Sequence, residues 1–112
     1  LHLFDDFAPL ADGLTVVFYD LRNRGRSDAV TDPAALARGI EADADDIEAV
    51  RAHVGADRVA LVGHSYVATT IVLYTMHRPD RVSRLVQIGP VAPPESVVSC
   101  FRAPPIWSAT QS

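Results

Sequence analysis

Three short apolar runs separated by helical patterns constrain this chain more than any other feature. The runs are residues 15–19 (TVVFY), 58–62 (RVALV) and 84–88 (RLVQI). The first two are almost continuously apolar, which suits parallel strands buried on both faces. Helical spacing fills the intervals. Leu3, Phe7 and Leu10 recur at four and three residues ahead of the first run. Asp32-Pro33 has the chemistry of a helix start, with Asp32 as N-cap and Pro33 at the first helical position. Ile40, Ile47, Val50 and Val54 then follow on one face, and Gly55 is the natural stop. After the second run, Ala68, Ile71, Val72, Thr75 and Met76 line another face, which Pro79 ends.

Helices alternating with strands imply crossover connections and a parallel sheet. The expected fold class is therefore α/β, with a three-stranded parallel sheet and flanking helices. In such sheets the functional residues gather beyond the C-terminal ends of the strands. Those ends are residues 20–27, 63–67 and 89–93. From Pro90 onward, Pro93, Pro94, Pro104 and Pro105 crowd a stretch without periodicity, which reads as a loop.

Composition narrows the function classes. With 112 residues the chain is one domain at most, and 48% hydrophobic against 21% charged residues is a globular balance. A net charge of −4 leaves no basic stripe for a phosphate backbone, so nucleic acid is not an expected partner. No apolar run approaches the ~18 residues that a membrane span needs. Asp5 and Asp6, with no lysine or arginine before them, are the wrong chemistry for a signal peptide. The lone Cys100 leans towards a reducing compartment, the cytoplasm.

The chemistry concentrates at Val59-Ala60-Leu61-Val62-Gly63-His64-Ser65-Tyr66, where an apolar strand runs into Gly-His-Ser and a helix follows at once. This is the context of a nucleophile elbow, in which a serine on a strained turn is lifted above the sheet. Strand and helix pass close together there, so small residues are needed two before and two after the serine. Gly63 is the first of these. The N–H of Tyr66 lies at the helix N-terminus, where an oxyanion would form. The competing explanation is an ordinary turn with Ser65 as an N-cap, which a bare G-x-S would favour.

These residues resemble the α/β-hydrolase superfamily. The resemblance lies in Phe18-Tyr19-Asp20-Leu21-Arg22-Asn23-Arg24-Gly25-Arg26-Ser27, in Leu61-Val62-Gly63-His64-Ser65, and in His77-Arg78-Pro79-Asp80-Arg81-Val82. Members often carry "Y-D-x-R-G-x-G-x-S", "G-H-S-x-G" and "h-P-d-R-V" in that order. The match covers about residues 1–93, read as a partial hydrolase core (an incomplete α/β/α sandwich), with residues 94–112 as a loop or the start of a cap. The resemblance implies Ser65 as nucleophile and Tyr66 as an oxyanion donor. It implies site-shaping roles for Gly63, His64, Val67, Asp20, Arg22 and Gly25. It implies esterase-like hydrolysis of a small molecule, with no metal or cofactor. Esters, lactones, amides, diketones and small peptides are all substrates within the superfamily, and Ser65 disfavours its aspartate-nucleophile branches.

Two positions depart from the family pattern. Val67 stands where members have glycine or another small residue, and a β-branched side chain there is expected to crowd the elbow. Asn23 replaces the first loop glycine, a milder change because asparagine tolerates left-handed backbone.

The other candidates are weaker. Asp20 reads as a loop organiser rather than a catalytic acid, and Arg22, Arg24 and Arg26 as a solvated basic loop. His64 adjoins the serine and points away from it. His53 ends a helix, His77 lies far along the next one, and His2 has no supporting context, so none of the four is a suitable triad base. No metal-ligand spacing is present, and Asp43, Asp45, Asp46 and Glu48 read as a solvated acidic face. The turn after the second run lacks the later glycines of a dinucleotide fingerprint.

In the superfamily the acid and histidine follow the serine. The first residue is Leu1 rather than methionine. Together these suggest an internal fragment carrying the nucleophile without its partners. The alternative function is a catalytically incomplete binding module. A three-stranded parallel sheet with unpaired edges is expected to be marginal on its own. Size-exclusion chromatography with denaturant titration checks this: the isolated chain should self-associate or unfold without a sharp transition, and a monodisperse, cooperatively unfolding monomer would contradict it.

Overall fold

The computed structural model describes residues 3–92 and Glu95. These fall into two units, divided between Thr31 and Asp32. Apart from Glu95, the stretch expected as loop or cap start, residues 94–112, lies outside the described residues.

In the first unit, α1 (Leu3–Phe7) runs into a 3₁₀ turn over Ala8–Asp12. The apolar run at residues 15–19 forms no strand, which corrects the expected count of three. A strand exists only by exchanging hydrogen bonds with a neighbour. Residues 15–19 join no sheet, and Val17, Phe18 and Tyr19 are exposed.

The second unit contains the parallel sheet. Its elements are α2 (Pro33–Ala37), α3 (Ile40–Val54), β1 (Val59–His64), α4 (Tyr66–His77), a 3₁₀ turn (Pro79–Arg81) and β2 (Val82–Ile88). Among the described residues the sheet has two strands, β1 and β2, paired in parallel from Val59 opposite Val82 to His64 opposite Ile88. The expected start at Asp32 is present: its carboxylate accepts the Ala34 N–H at 3.1 Å. Gly55 ends α3 in the left-handed region at φ 73°. The single helix expected between them is broken at Gly39. Its φ of 54° and ψ of −125° are foreign to a helix and open to glycine.

The core follows from the faces these elements present. Ile40, Ala44 and Ile47 lie on one stripe of α3, and Ile71, Leu73 and Tyr74 on α4. Val82 closes the cluster, with Leu61, Tyr66, Val67 and Leu85 packed against it. Every residue of α4 from Ala68 to Tyr74 is buried, because the helix packs on both strands and on α3. Among the described residues of this unit, α4, backed by α3, covers one face of the sheet. β1 alternates between buried or half-buried and exposed residues, and Val62 and its partner Val86 are both exposed. The expected burial on both faces is thus corrected: an apolar run permits a two-sided strand, and a second covering layer must exist to make one.

A polar seam joins α3 to α4. The Tyr74 hydroxyl donates to Glu48 at 2.6 Å, and Arg51 donates to both Glu48 oxygens at 2.5 and 3.0 Å. The Arg78 guanidinium lies 5.7 Å from the Tyr74 ring centroid. Hydrogen bonds from Arg51 and Tyr74 hold the Glu48 carboxyl down at about 2, against an ordinary 4.5. Burial, with Glu48 beside it, pushes Tyr74 up to about 12.

A lowered carboxyl pKa contributes stability that is complete above the unfolded value and disappears as the folded one is approached. Denaturation of the chain as a function of pH should therefore show stability falling from about pH 4.5 towards about pH 2. Glu48→Gln should lose stability at neutral pH and flatten that acid limb. The raised Tyr74 pKa has the opposite sign. Its contribution is present below about pH 10 and is lost towards about pH 12, and Tyr74→Phe should abolish that alkaline limb.

Candidate active site

β1 ends at His64 and α4 begins at Tyr66, so Ser65 alone makes the turn. Its φ of 59° and ψ of −120° lie where residues other than glycine are strained, at a cost of about 1–3 kcal/mol. Its side chain makes no capping bond to α4, so the alternative of an ordinary N-cap serine does not hold. The Ser65 N–H donates to the Ile88 carbonyl at 2.9 Å, carrying the β1–β2 ladder one step beyond His64. Its carbonyl accepts the Ala68 N–H at 3.1 Å and starts the helix.

Gly63 permits the close approach. A Cβ there would sit 2.7 Å from the Val67 carbonyl oxygen and 2.9 Å from the Ala68 nitrogen, both backbone atoms. The requirement for a small residue before the serine is thus a backbone constraint. Val67 occupies the first turn of α4, half-buried, and packs against the core cluster. The N–H of Tyr66 is at the positive end of α4. Strand alternation puts His64 on the exposed face of the sheet, opposite Ile88. His53 is exposed in the last turn of α3. His77 lies 3.9 Å from Glu41. It is eleven residues along α4 from Tyr66, about 16 Å at the helical rise. His2 lies outside the described residues.

Sequence reasoning missed three ties on the first turn of α4. The Tyr66 hydroxyl donates to Asp43 on α3 at 2.5 Å, the Gln87 amide donates to the Ala68 carbonyl at 2.8 Å, and Thr69 donates to the Val91 carbonyl at 2.6 Å. Asp43 is buried, which corrects its assignment to a solvated acidic face. The signal was available: Asp43 lies three residues after Ile40 and four before Ile47, on the buried stripe.

The other predicted residues form a loop within the first unit. The Asp20 carboxylate accepts the Arg26 N–H at 2.9 Å and lies 3.5 Å from the Arg26 guanidinium. That backbone bond is the main cause of its lowered pKa. Ser27 donates its hydroxyl to the Asp20 carbonyl at 2.5 Å. Gly25, at φ 54°, sits so close that a Cβ would fall 2.5 Å from the Asp20 carboxylate. Asn23 takes a left-handed φ of 64°, and its side chain accepts the Val30 N–H. Arg22 is half-buried in the same loop. Asp20 thus organises its own loop, and the geometry puts it and Gly25 in one unit and residues 63–67 in the other.

A family model described as the α/β-hydrolase fold matches residues 1–108. This chain belongs to the α/β-hydrolase fold family. No solved structure matches it. Among the described residues of this α/β-hydrolase chain, no three histidine, cysteine or acidic side chains are grouped to hold a metal ion. No helix among them is long and apolar enough to cross a membrane.

Two substitutions test the turn of this hydrolase-fold chain. Ser65→Gly relieves the backbone strain and should raise unfolding stability by about 1 kcal/mol. Gly63→Ala forces a methyl group into the Val67 backbone and should destabilise by about 2–4 kcal/mol. Denaturant titration of both variants reads the two signs.

Proposed function

We propose that this α/β-hydrolase chain supplies the nucleophile of a serine hydrolase acting on a small acyl substrate such as an ester. The observation that carries the proposal is the strained backbone at Ser65, with its side chain unused for capping at the start of α4. Strain of this kind persists where the surroundings over-determine it, and it clusters at functional sites.

In this reading the Ser65 Oγ attacks the carbonyl carbon as its proton passes to a base. The tetrahedral oxyanion is met by the Tyr66 N–H. The leaving group departs with a proton from that base, and water then hydrolyses the acyl-enzyme by the same route in reverse. Gly63 lets α4 approach, and Asp20, Arg22 and Gly25 shape their loop. The positions of His53, His64 and His77 do not suit the base, so full turnover depends on a histidine and an acid other than these. No metal or organic cofactor has a part in the scheme. The lone Cys100 fits a reducing, cytoplasmic setting.

A second reading, a hydrolase-like module that binds without turning over, is favoured by Val67. A β-branched residue stands in the first helical turn where the family carries a small one.

A fluorophosphonate probe separates the two. Labelling confined to Ser65 and lost in Ser65→Ala supports the nucleophile, and a wild-type protein that resists the probe favours the binding module. Val67→Gly should raise the labelling rate by about tenfold if the valine displaces the reacting groups. The same variant should lower stability through lost packing and helix propensity. An unchanged labelling rate would count against crowding.

A further inference from the structure

We propose that Asp43 is a positioning residue for the Ser65 turn, acting through the Tyr66 phenol. Asp43 is 7% exposed, and a buried carboxylate is costly unless it is hydrogen-bonded. Its oxygen accepts the Tyr66 hydroxyl at 2.5 Å, a charge-assisted bond of the stronger class. Tyr66 is the residue directly after Ser65, so whatever restrains its side chain restrains the peptide plane that the two residues share. The N–H of that plane is the proposed oxyanion donor.

The first turn of α4 is held by polar ties from separate parts of the second unit. Gln87 on β2 reaches the Ala68 carbonyl, and Thr69 reaches the Val91 carbonyl beyond β2. The Ser65 N–H is tied to Ile88 at the end of β2. All of these restrain the turn from the sheet side. Asp43 holds it from α3, across the helix pair. A serine at φ 59° and ψ −120° relaxes towards ordinary backbone unless restrained from more than one direction. With Val67 in place of a smaller residue, the turn has added reason for such a restraint. The catalytic consequence rests on the reading of Ser65 as nucleophile, whereas the restraint itself does not.

Amide hydrogen exchange of the full chain tests the restraint independently of activity. Tyr66→Phe and Asp43→Ala should each speed exchange of the Ser65 and Ala68 amides by about tenfold, leaving amides around Tyr74 within about twofold of wild type. Asp43→Asn keeps an acceptor of the same shape and should fall between wild type and Asp43→Ala. The double variant Asp43→Ala/Tyr66→Phe should be no faster than either single one, because both remove the same bond. Additive effects, uniform acceleration along α4, or unchanged Ser65 and Ala68 amides would each overturn the proposal.

Fluorophosphonate labelling should follow the same order of rates, slowest in Tyr66→Phe and Asp43→Ala and partly restored in Asp43→Asn. A wild-type protein that is not labelled overturns the catalytic half alone, and the exchange data then decide the restraint. Normal labelling in all variants, alongside the predicted exchange pattern, also overturns the catalytic half.

Discussion

The close approach of α4 to the end of β1 is the constraint on which the second unit depends. At Gly63 the backbone of the helix comes so near the strand that no side-chain carbon fits between them. The chain then has a single residue in which to reverse from strand to helix. That residue must take a conformation which hydrogen-bonded neighbours can hold but would not choose. Ser65 is that residue, and the ladder bond to Ile88 on one side and the start of α4 on the other fix it. A loose turn would let the serine relax and its hydroxyl cap the helix, as serine does at ordinary helix starts.

The helix that results is the hub of its unit. α4 touches both strands and α3, and its buried run from Ala68 to Tyr74 accounts for much of the core. Its contact with α3 is partly polar. Asp43 and Glu48, acidic residues on α3, meet the hydroxyls of Tyr66 and Tyr74 on α4. Taking carboxylates out of water, fully for Asp43 and partly for Glu48, is costly unless each finds donors, and both do. Apolar packing holds the two helices together. The tyrosine bonds set the register in which they pack, because each needs its partner at one height along the axis.

Much of the site was legible because local rules write it. A strand of apolar residues running into Gly-His-Ser, a helix start at Asp32-Pro33 and a stop at Gly55 are short-range signals, each with its own stereochemical cause. The left-handed conformation at Asn23 and the loop role of Asp20 belong to the same class. The misreadings have a common origin too. Residues 15–19 have the composition of a strand and lack its hydrogen bonds. β1 has the composition of a two-sided strand and, among the described residues of its unit, is covered on one face. The helix expected from Asp32 onward breaks at Gly39, a residue whose helical and non-helical states differ little in local energy. The charge of Asp43 and its acidic neighbours suggests a surface residue, whereas its place on one stripe with Ile40 and Ile47 puts it in the buried interface.

What the residues alone determined is the fold family, the order of helices and strands in the second unit, and the abrupt strand-to-helix turn at Ser65. Each depends on periodicity, capping and backbone preference, which act within a few residues. Only the tertiary structure decided which apolar run gains a neighbour, which face of the sheet is covered, and which acid on α3 meets which tyrosine on α4. Those outcomes turn on contacts between residues about twenty or more positions apart, where burial and hydrogen bonding outweigh local propensity.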